Sequence, residues 1–140
     1  MIGLRHLAIR TCDLRRSRQF YEEGLGLSFV GFRPSSDAVD LSDGSVNLTI
    51  IPYEGPERAV FEEGTEFIHL GFLVEDVAVT YRRLSALGAP IVRDDVKERR
   101  EHDPSSLPVG SFKVLDPDGN VVDVSDRADE WRVSVDRGIS

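Results

Sequence analysis

The sequence predicts an α+β protein made of two β-α-β-β-β modules, and three observations carry that prediction. The stretch RHLAIRTCDLRRSRQFYEEGLGLSFV near the start is echoed by IHLGFLVEDVAVTYRRLSALGAPIV in the middle, with His6 falling on His69, Leu7 on Leu70 and Asp13 on Asp76. That interval of 63 residues is longer than a solenoid unit of roughly 20–50, so it marks a duplicated half-domain. Each copy opens with two-residue alternation of apolar side chains and passes into helical spacing. Late in the two copies, Asp43-Gly44 and Asp116-Pro117-Asp118-Gly119 supply hairpin-turn chemistry at corresponding places.

The elements follow in order. Residues 4–10 form a strand with Arg5, Leu7 and Ile9 on one face and Leu4, His6, Ala8 and Arg10 on the other. Asp13 then caps a helix, because its carboxylate accepts from free N–H groups of a first turn. Leu14, Ser17, Tyr21 and Leu25 make that helix's inner stripe, which Gly24 and Gly26 end. Strands at about 27–33, 37–42 and 45–52 complete the first module, about 3–52, and residues 53–66 form a polar connector. The second module, about 67–126, repeats the pattern. In its first strand Ile68, Leu70, Phe72 and Val74 oppose Phe67, His69, Gly71 and Leu73. Asp76 caps a helix carrying Val77, Tyr81, Leu84 and Leu87, with Gly88 as a stop before Pro90. Strands at about 90–96, 110–116 and 120–125 follow. The charged segment 97–109 is long for a connection in a compact domain, the kind of loop that serves as a lid or site entrance. Residues 1–126 therefore read as a single domain and 127–140 as a tail without an assigned element.

Composition narrows the function classes. Among 140 residues, 17 Lys and Arg face 25 Asp and Glu, a formal charge of −8. A phosphate backbone recruits basic patches, so nucleic acid is not an expected partner. Cys12 stands alone, which precludes an intrachain disulfide and fits a reducing cytoplasm. No apolar run reaches the roughly 18–20 residues of a membrane span, and the start has no signal-peptide pattern, so a cytoplasmic protein is expected.

His6 and His69 occupy equivalent strand positions, and Asp123 sits between Val122 and Val124 in the final strand. All three point away from the apolar face that packs under the helices, toward the inside of a curved sheet. An enclosed carboxylate without a partner costs several kcal/mol, so Asp123 requires compensation. A divalent cation held by two imidazoles and one carboxylate supplies it. The bland readings are an ion pair of Asp123 with Lys113 and a hydrogen-bonded core role for His69. Asp116, Asp118 and Gly119 read as turn residues, and Cys12 as an inert half-buried thiol. His102, Tyr53 and Glu54 lie in loops and are the candidates for a general acid or base.

The paired modules, His6 in RHLAIRTCDL, the segment RQFYEEGLGL, His69 in IHLGFLVEDV and FKVLDPDGNVVDV together resemble the vicinal oxygen chelate superfamily. That superfamily includes glyoxalase I, extradiol dioxygenases, methylmalonyl-CoA epimerase, fosfomycin-resistance thiol transferases and bleomycin-resistance proteins. The resemblance covers about residues 3–126 and implies a cup-shaped mixed sheet, a homodimer and metal ligation by His6, His69 and Asp123. Family members usually carry Glu where this chain has Asp123. For the fourth ligand of glyoxalase I the run SVNLTIIP offers no carboxylate, with Leu48 or Thr49 nearest, which disfavours an ordinary four-ligand glyoxalase I.

The resemblance thus implies a divalent-metal-dependent enzyme chelating adjacent oxygens of a small molecule, by dioxygenase, lyase, isomerase or thiol-transferase chemistry. Fe2+ or Mn2+ suits the ligand set best, and Zn2+, Ni2+ and Co2+ are compatible with it. The alternative is a metal-free ligand- or drug-binding protein of the bleomycin-resistance type. Phe29, Phe32, Phe67, Phe112 or Trp131 would line its cavity, and the negative charge would attract a cationic drug.

Overall fold

The protein is described by a computed structural model covering residues 3–34, 36–57, 69–92, 106–131 and 133. Strand β1 (His6–Thr11) leads into α1 (Leu14–Gln19), which runs on as a π-helical turn (Phe20–Gly24). Strands β2 (Ser28–Phe32), β3 (Val39–Ser42) and β4 (Asn47–Pro52) finish the first module. The second contains β5 (His69–Leu73), α2 (Val77–Ala86), β6 (Ile91–Val92), β7 (Ser111–Leu115) and β8 (Val121–Ser125). They build two four-stranded mixed sheets, ordered β1-β4-β3-β2 and β5-β8-β7-β6. In each, the first strand pairs parallel with the last and the other pairings are antiparallel. The duplication seen in the sequence is therefore a duplication of topology, with β1 and β5 at equivalent sheet edges.

Alternation decides which side chains enter the core. Leu48 and Ile50 of β4, Leu70 of β5, Phe112 and Val114 of β7, and Val122 and Val124 of β8 join one apolar cluster with Phe20, Tyr21, Val77 and Leu84. Both helices start as the sequence predicts: Asp13 accepts from the Arg16 N–H, and Asp76 from the N–H groups of Ala78 and Val79. The π-helical turn was not foreseen, since the apolar spacing suggested a regular helix. The Leu25 N–H reaches back to the Phe20 carbonyl at 3.1 Å, five residues away. This extra residue per turn lets the sequence neighbours Phe20 and Tyr21 both enter the core, their rings edge to face at 4.9 Å. Gly24 permits the close crossing with α2, because a Cβ there would meet the Leu84 side chain.

The Asp116–Gly119 turn does more than reverse the chain. One oxygen of Asp116 accepts from the N–H groups of Asp118 and Asn120 at 2.9 and 2.8 Å, as its turn role requires. The other accepts from the buried Tyr21 hydroxyl of the first module at 2.7 Å. Asp118 likewise accepts from the Cys12 N–H at 2.8 Å and the Ser17 hydroxyl at 3.1 Å. These bonds fasten the first module's helix to the second module's hairpin. Burial, then the neighbouring Asp116 charge, raises the Tyr21 phenol well above its ordinary pKa, so it stays a donor. Cys12 is exposed rather than half-buried, and it is its backbone that the fold holds.

Beyond β8 the chain folds back so that Trp131 lies against Gly71 of β5. A methyl built on Gly71 would come within 2.9 Å of the indole. Gly71 pairs in register with Asp123, so the tryptophan covers part of the face on which Asp123 stands.

Two outcomes follow. Tyr21→Phe removes one of the two donors to a buried carboxylate oxygen, the Asn120 amide keeping the other, and lowers unfolding free energy by about 1–3 kcal/mol in urea melts, whereas Tyr53→Phe, on a half-buried ring away from this contact, changes it little. Gly71→Val displaces the indole, and because Trp131 is the only tryptophan, its emission moves to longer wavelength without loss of secondary structure.

Candidate functional site

The face of β1 opposite the core carries His6, Ala8 and Arg10. Register places Asn47 beside His6 and Thr49 beside Ala8, while Asp40 of β3 stands opposite Thr49. A polar chain results. His6 Nδ1 lies 2.5 Å from Asn47 Oδ1. The Thr49 hydroxyl donates to Asp40 at 2.6 Å, with Asn47 Oδ1 at 2.9 Å. Arg33 donates to Asp40 at 3.1 Å through Nε and to Thr49 through Nη2 at the same distance. The Thr49 hydrogen bond, assisted by Asn47 and Arg33, holds the Asp40 carboxyl below its ordinary pKa despite partial burial. Of the two β4 residues nearest a fourth-ligand position, Leu48 turns into the core. Asn47 is the residue that meets His6, and the sequence reading missed it. Its signal was the in-register parallel pairing of a module's first and last strands.

The second module repeats this geometry with different chemistry. His69 and Gly71 of β5 share a face with Asp123 of β8 and Lys113 of β7, and Asp123 pairs in register with both Gly71 and Lys113. His69 Nε2 is 3.9 Å from Asp123 Oδ2. This exceeds a hydrogen bond. It also exceeds the about 3.0–3.4 Å that separates two donors each about 2.1 Å from one ion, so the pair would have to close by about 0.5 Å to share one. The Asp123 side chain is 5% exposed and that of His69 25%, so the imidazole forms the open side of the pair. Lys113 is also buried, directly across from Asp123.

Within one chain the described residues do not complete the set. Among the described residues, no three His, Cys, Asp or Glu side chains gather closely enough to hold a metal ion. His69 and Asp123 come together, while His6 stands on the other sheet with Asn47. In donor chemistry the residues fit a divalent cation; in arrangement each module holds part of the set.

The remaining candidates are dispersed. Tyr53 is half-buried beneath the Arg10 guanidinium, 4.1 Å from its ring centre, and Glu54 is exposed. His102 and Phe67 lie outside the described residues. Phe29 and Phe32 lie under Arg18, which stacks over both at 4.6 and 5.5 Å, and Phe32 joins Leu14 and Arg18 in lining a surface cavity of about 610 Å3 that takes in neither His6 nor His69. Phe112 is core, edge to face with Tyr81 at 5.5 Å. A cavity of about 490 Å3 between the modules is walled by Leu7, Leu25, Leu48, Leu70 and Phe72, and takes in none of His6, His69 or Asp123. Of the expected aromatics among the described residues, Trp131 is the one that stands at the Asp123 face.

No helix among the described residues is long and apolar enough to cross a membrane. Comparison with curated proteins finds no match. Among solved structures, glyoxalase I of Leishmania major, a trypanothione-dependent enzyme, is 25% identical over 90% of this chain and 87% of its own, with a TM-score of 0.65. The fosfomycin resistance protein FosX of Listeria monocytogenes shares the fold at 18% identity, 93% and 95% coverage and a TM-score of 0.62. A structure described as a possible glyoxalase from Bacillus cereus does so at 20% identity, 89% and 99% coverage and a TM-score of 0.60. The model of the Glyoxalase/Bleomycin resistance protein/Dioxygenase superfamily matches residues 3–124, and with two four-stranded modules of the same topology the chain belongs to that superfamily.

Proposed function

We propose that this protein is a divalent-metal-dependent enzyme acting on a small molecule with two adjacent oxygens, and that it works as a homodimer. The observation that carries this reading is the division of donors between equivalent faces, His6 on one module and His69 with Asp123 on the other. Both first strands, β1 and β5, are sheet edges. A two-fold axis that sets the first module of one chain against the second module of its partner creates two identical sites, each with two imidazoles and a carboxylate. Such a donor set suits Fe2+ or Mn2+ and leaves coordination positions open; Zn2+, Ni2+ and Co2+ use the same ligand types.

Bound there, such an ion would supply Lewis-acid stabilisation of negative charge on a substrate oxygen. Asp123 would offset the ion's charge from a buried position, and His6 and His69 would hold it. Trp131 covers the Gly71 side of the site and limits water there. The missing carboxylate on β4, where Asn47 and Thr49 stand, separates this site from a four-ligand glyoxalase I.

A second reading has one observation in its favour. The buried Lys113 ammonium lies directly across from Asp123 and offers a counter-charge that needs no metal. On that reading the protein binds a ligand without catalysing a reaction.

Metal analysis of purified protein separates the two: bound Fe or Mn near one ion per chain, lost in His6→Ala and in Asp123→Asn, supports the enzyme. A metal-free protein whose melting temperature ignores both Mn2+ and chelator supports the binder. Mixing then tests the dimer. Equal amounts of His6→Ala and Asp123→Asn chains, unfolded and refolded together, recover about a quarter of wild-type metal sites, since each mixed dimer regains one intact site. No recovery contradicts sites shared between chains.

A further inference from the structure

The apolar cavity of about 490 Å3 between the modules has no part in the proposed metal chemistry. Its size falls within the roughly 300–1,000 Å3 of ordinary small-molecule pockets, and junctions between packed units are where such pockets concentrate. Leu48 and Leu70 are its deeply buried lining residues, and Leu7, Leu27 and Phe72 are half-buried around it. Carbon that faces a void forgoes dispersion contacts, which an apolar occupant restores. The first module's wall is held in place by its backbone. Beyond the π-helical turn the Gly26 N–H donates to the Glu22 carbonyl at 3.1 Å and the Leu27 N–H to the Tyr21 carbonyl at 2.9 Å.

The polar side chains of the lining come together on the β2–β3 side. Ser28 pairs in register with Ser42, and Asp43 follows Ser42 in the chain. The Ser42 hydroxyl is engaged, donating to the Val46 carbonyl and accepting from the Gly44 N–H, both at 2.9 Å. Asp43 Oδ1 accepts from the Ser45 and Val46 N–H groups at 2.8 Å each, leaving Oδ2 outside these bonds. The same two bonds hold the Asp43 carboxyl below its ordinary pKa, so it is charged at neutral pH. Among the described residues that line the cavity, Asp43 is the one with a charge. Arg83 comes to 4.0 Å of a Cβ built on Gly26, yet it does not line the cavity.

We propose that this cavity is a second binding site, separate from the His6, His69 and Asp123 faces, and that it takes a small amphiphilic amine. The apolar body sits among Leu7, Leu48, Leu70 and Phe72, and the ammonium meets Asp43 at the rim. A carboxylate head would face Asp43 as a like charge, and a neutral head would forgo the pairing. Ion pairs at exposed positions contribute modestly, so the apolar body sets the affinity while Asp43 sets which charge is accepted.

Three probes of one shape test this: 4-phenylbutylamine, 4-phenylbutanol and 4-phenylbutyrate, titrated calorimetrically into metal-free protein at neutral pH. The amine should bind about two- to five-fold tighter than the alcohol, and the carboxylate most weakly. Asp43→Asn keeps the oxygen that the Ser45 and Val46 N–H groups use and removes the charge, so amine and alcohol should then bind alike. Leu73→Trp, at an exposed lining position, and Leu27→Phe should each weaken all three probes by about ten-fold or more. No saturable binding by the folded protein, or an amine preference that survives Asp43→Asn, overturns the proposal. So does binding that is lost as the protein is concentrated into a dimer, because a second copy of the chain is then the occupant. The metal content of the same samples is measured separately and bears on none of these outcomes.

Discussion

Alternation along β1, β4, β5 and β8 is the constraint on which the rest of the molecule depends. Each strand spends every second residue on a shared apolar cluster, and the residues between are left on the other face. That face is where His6, Asn47, His69 and Asp123 stand. A one-residue slip in either parallel pair would bury an imidazole or a carboxylate among aliphatic side chains, at a cost of several kcal/mol. The core and the candidate site are thus two sides of one register, and neither changes without the other.

A second constraint joins the halves. Tyr21 and Ser17 reach Asp116 and Asp118, and Gly24 brings the π-helical turn against Leu84. These contacts place the modules helix to hairpin and leave β1 and β5 as sheet edges among the described residues. Among the described residues the consequence is a divided donor set, which the proposed dimer reunites. The buried charges bear on the same question. Asp123 and Lys113 face each other across β7 and β8, so the carboxylate has an ammonium within its own sheet as well as an imidazole at 3.9 Å. Which of these compensates it decides between a metal enzyme and a binder.

Much of this was legible in the sequence because it depends on short-range physics. Two-residue alternation located β1 and β5 and sorted their faces correctly, while Asp13, Asp76 and the two glycine-bearing turns marked caps and hairpins. What escaped depends on contacts between distant segments. The π-helical turn answers to packing of Phe20 and Tyr21 rather than to helix propensity, and Asp116 serves a tyrosine 95 residues away. In the site, the pairing of His69 with Asp123 was foreseeable from the repeat. Asn47 was hidden because its role depends on register with β1 rather than on charge, and Trp131, named as a cavity aromatic, could not be seated against Gly71 because nothing local fixes a tail.

The most direct measurement of the central claim is native mass spectrometry of protein loaded with Mn2+. If the donors of two chains meet, ions appear on the dimer, two per assembly, and the monomer released at low concentration carries none. A monomer that retains its ion, or a loaded protein that remains metal-free in every state, contradicts the account.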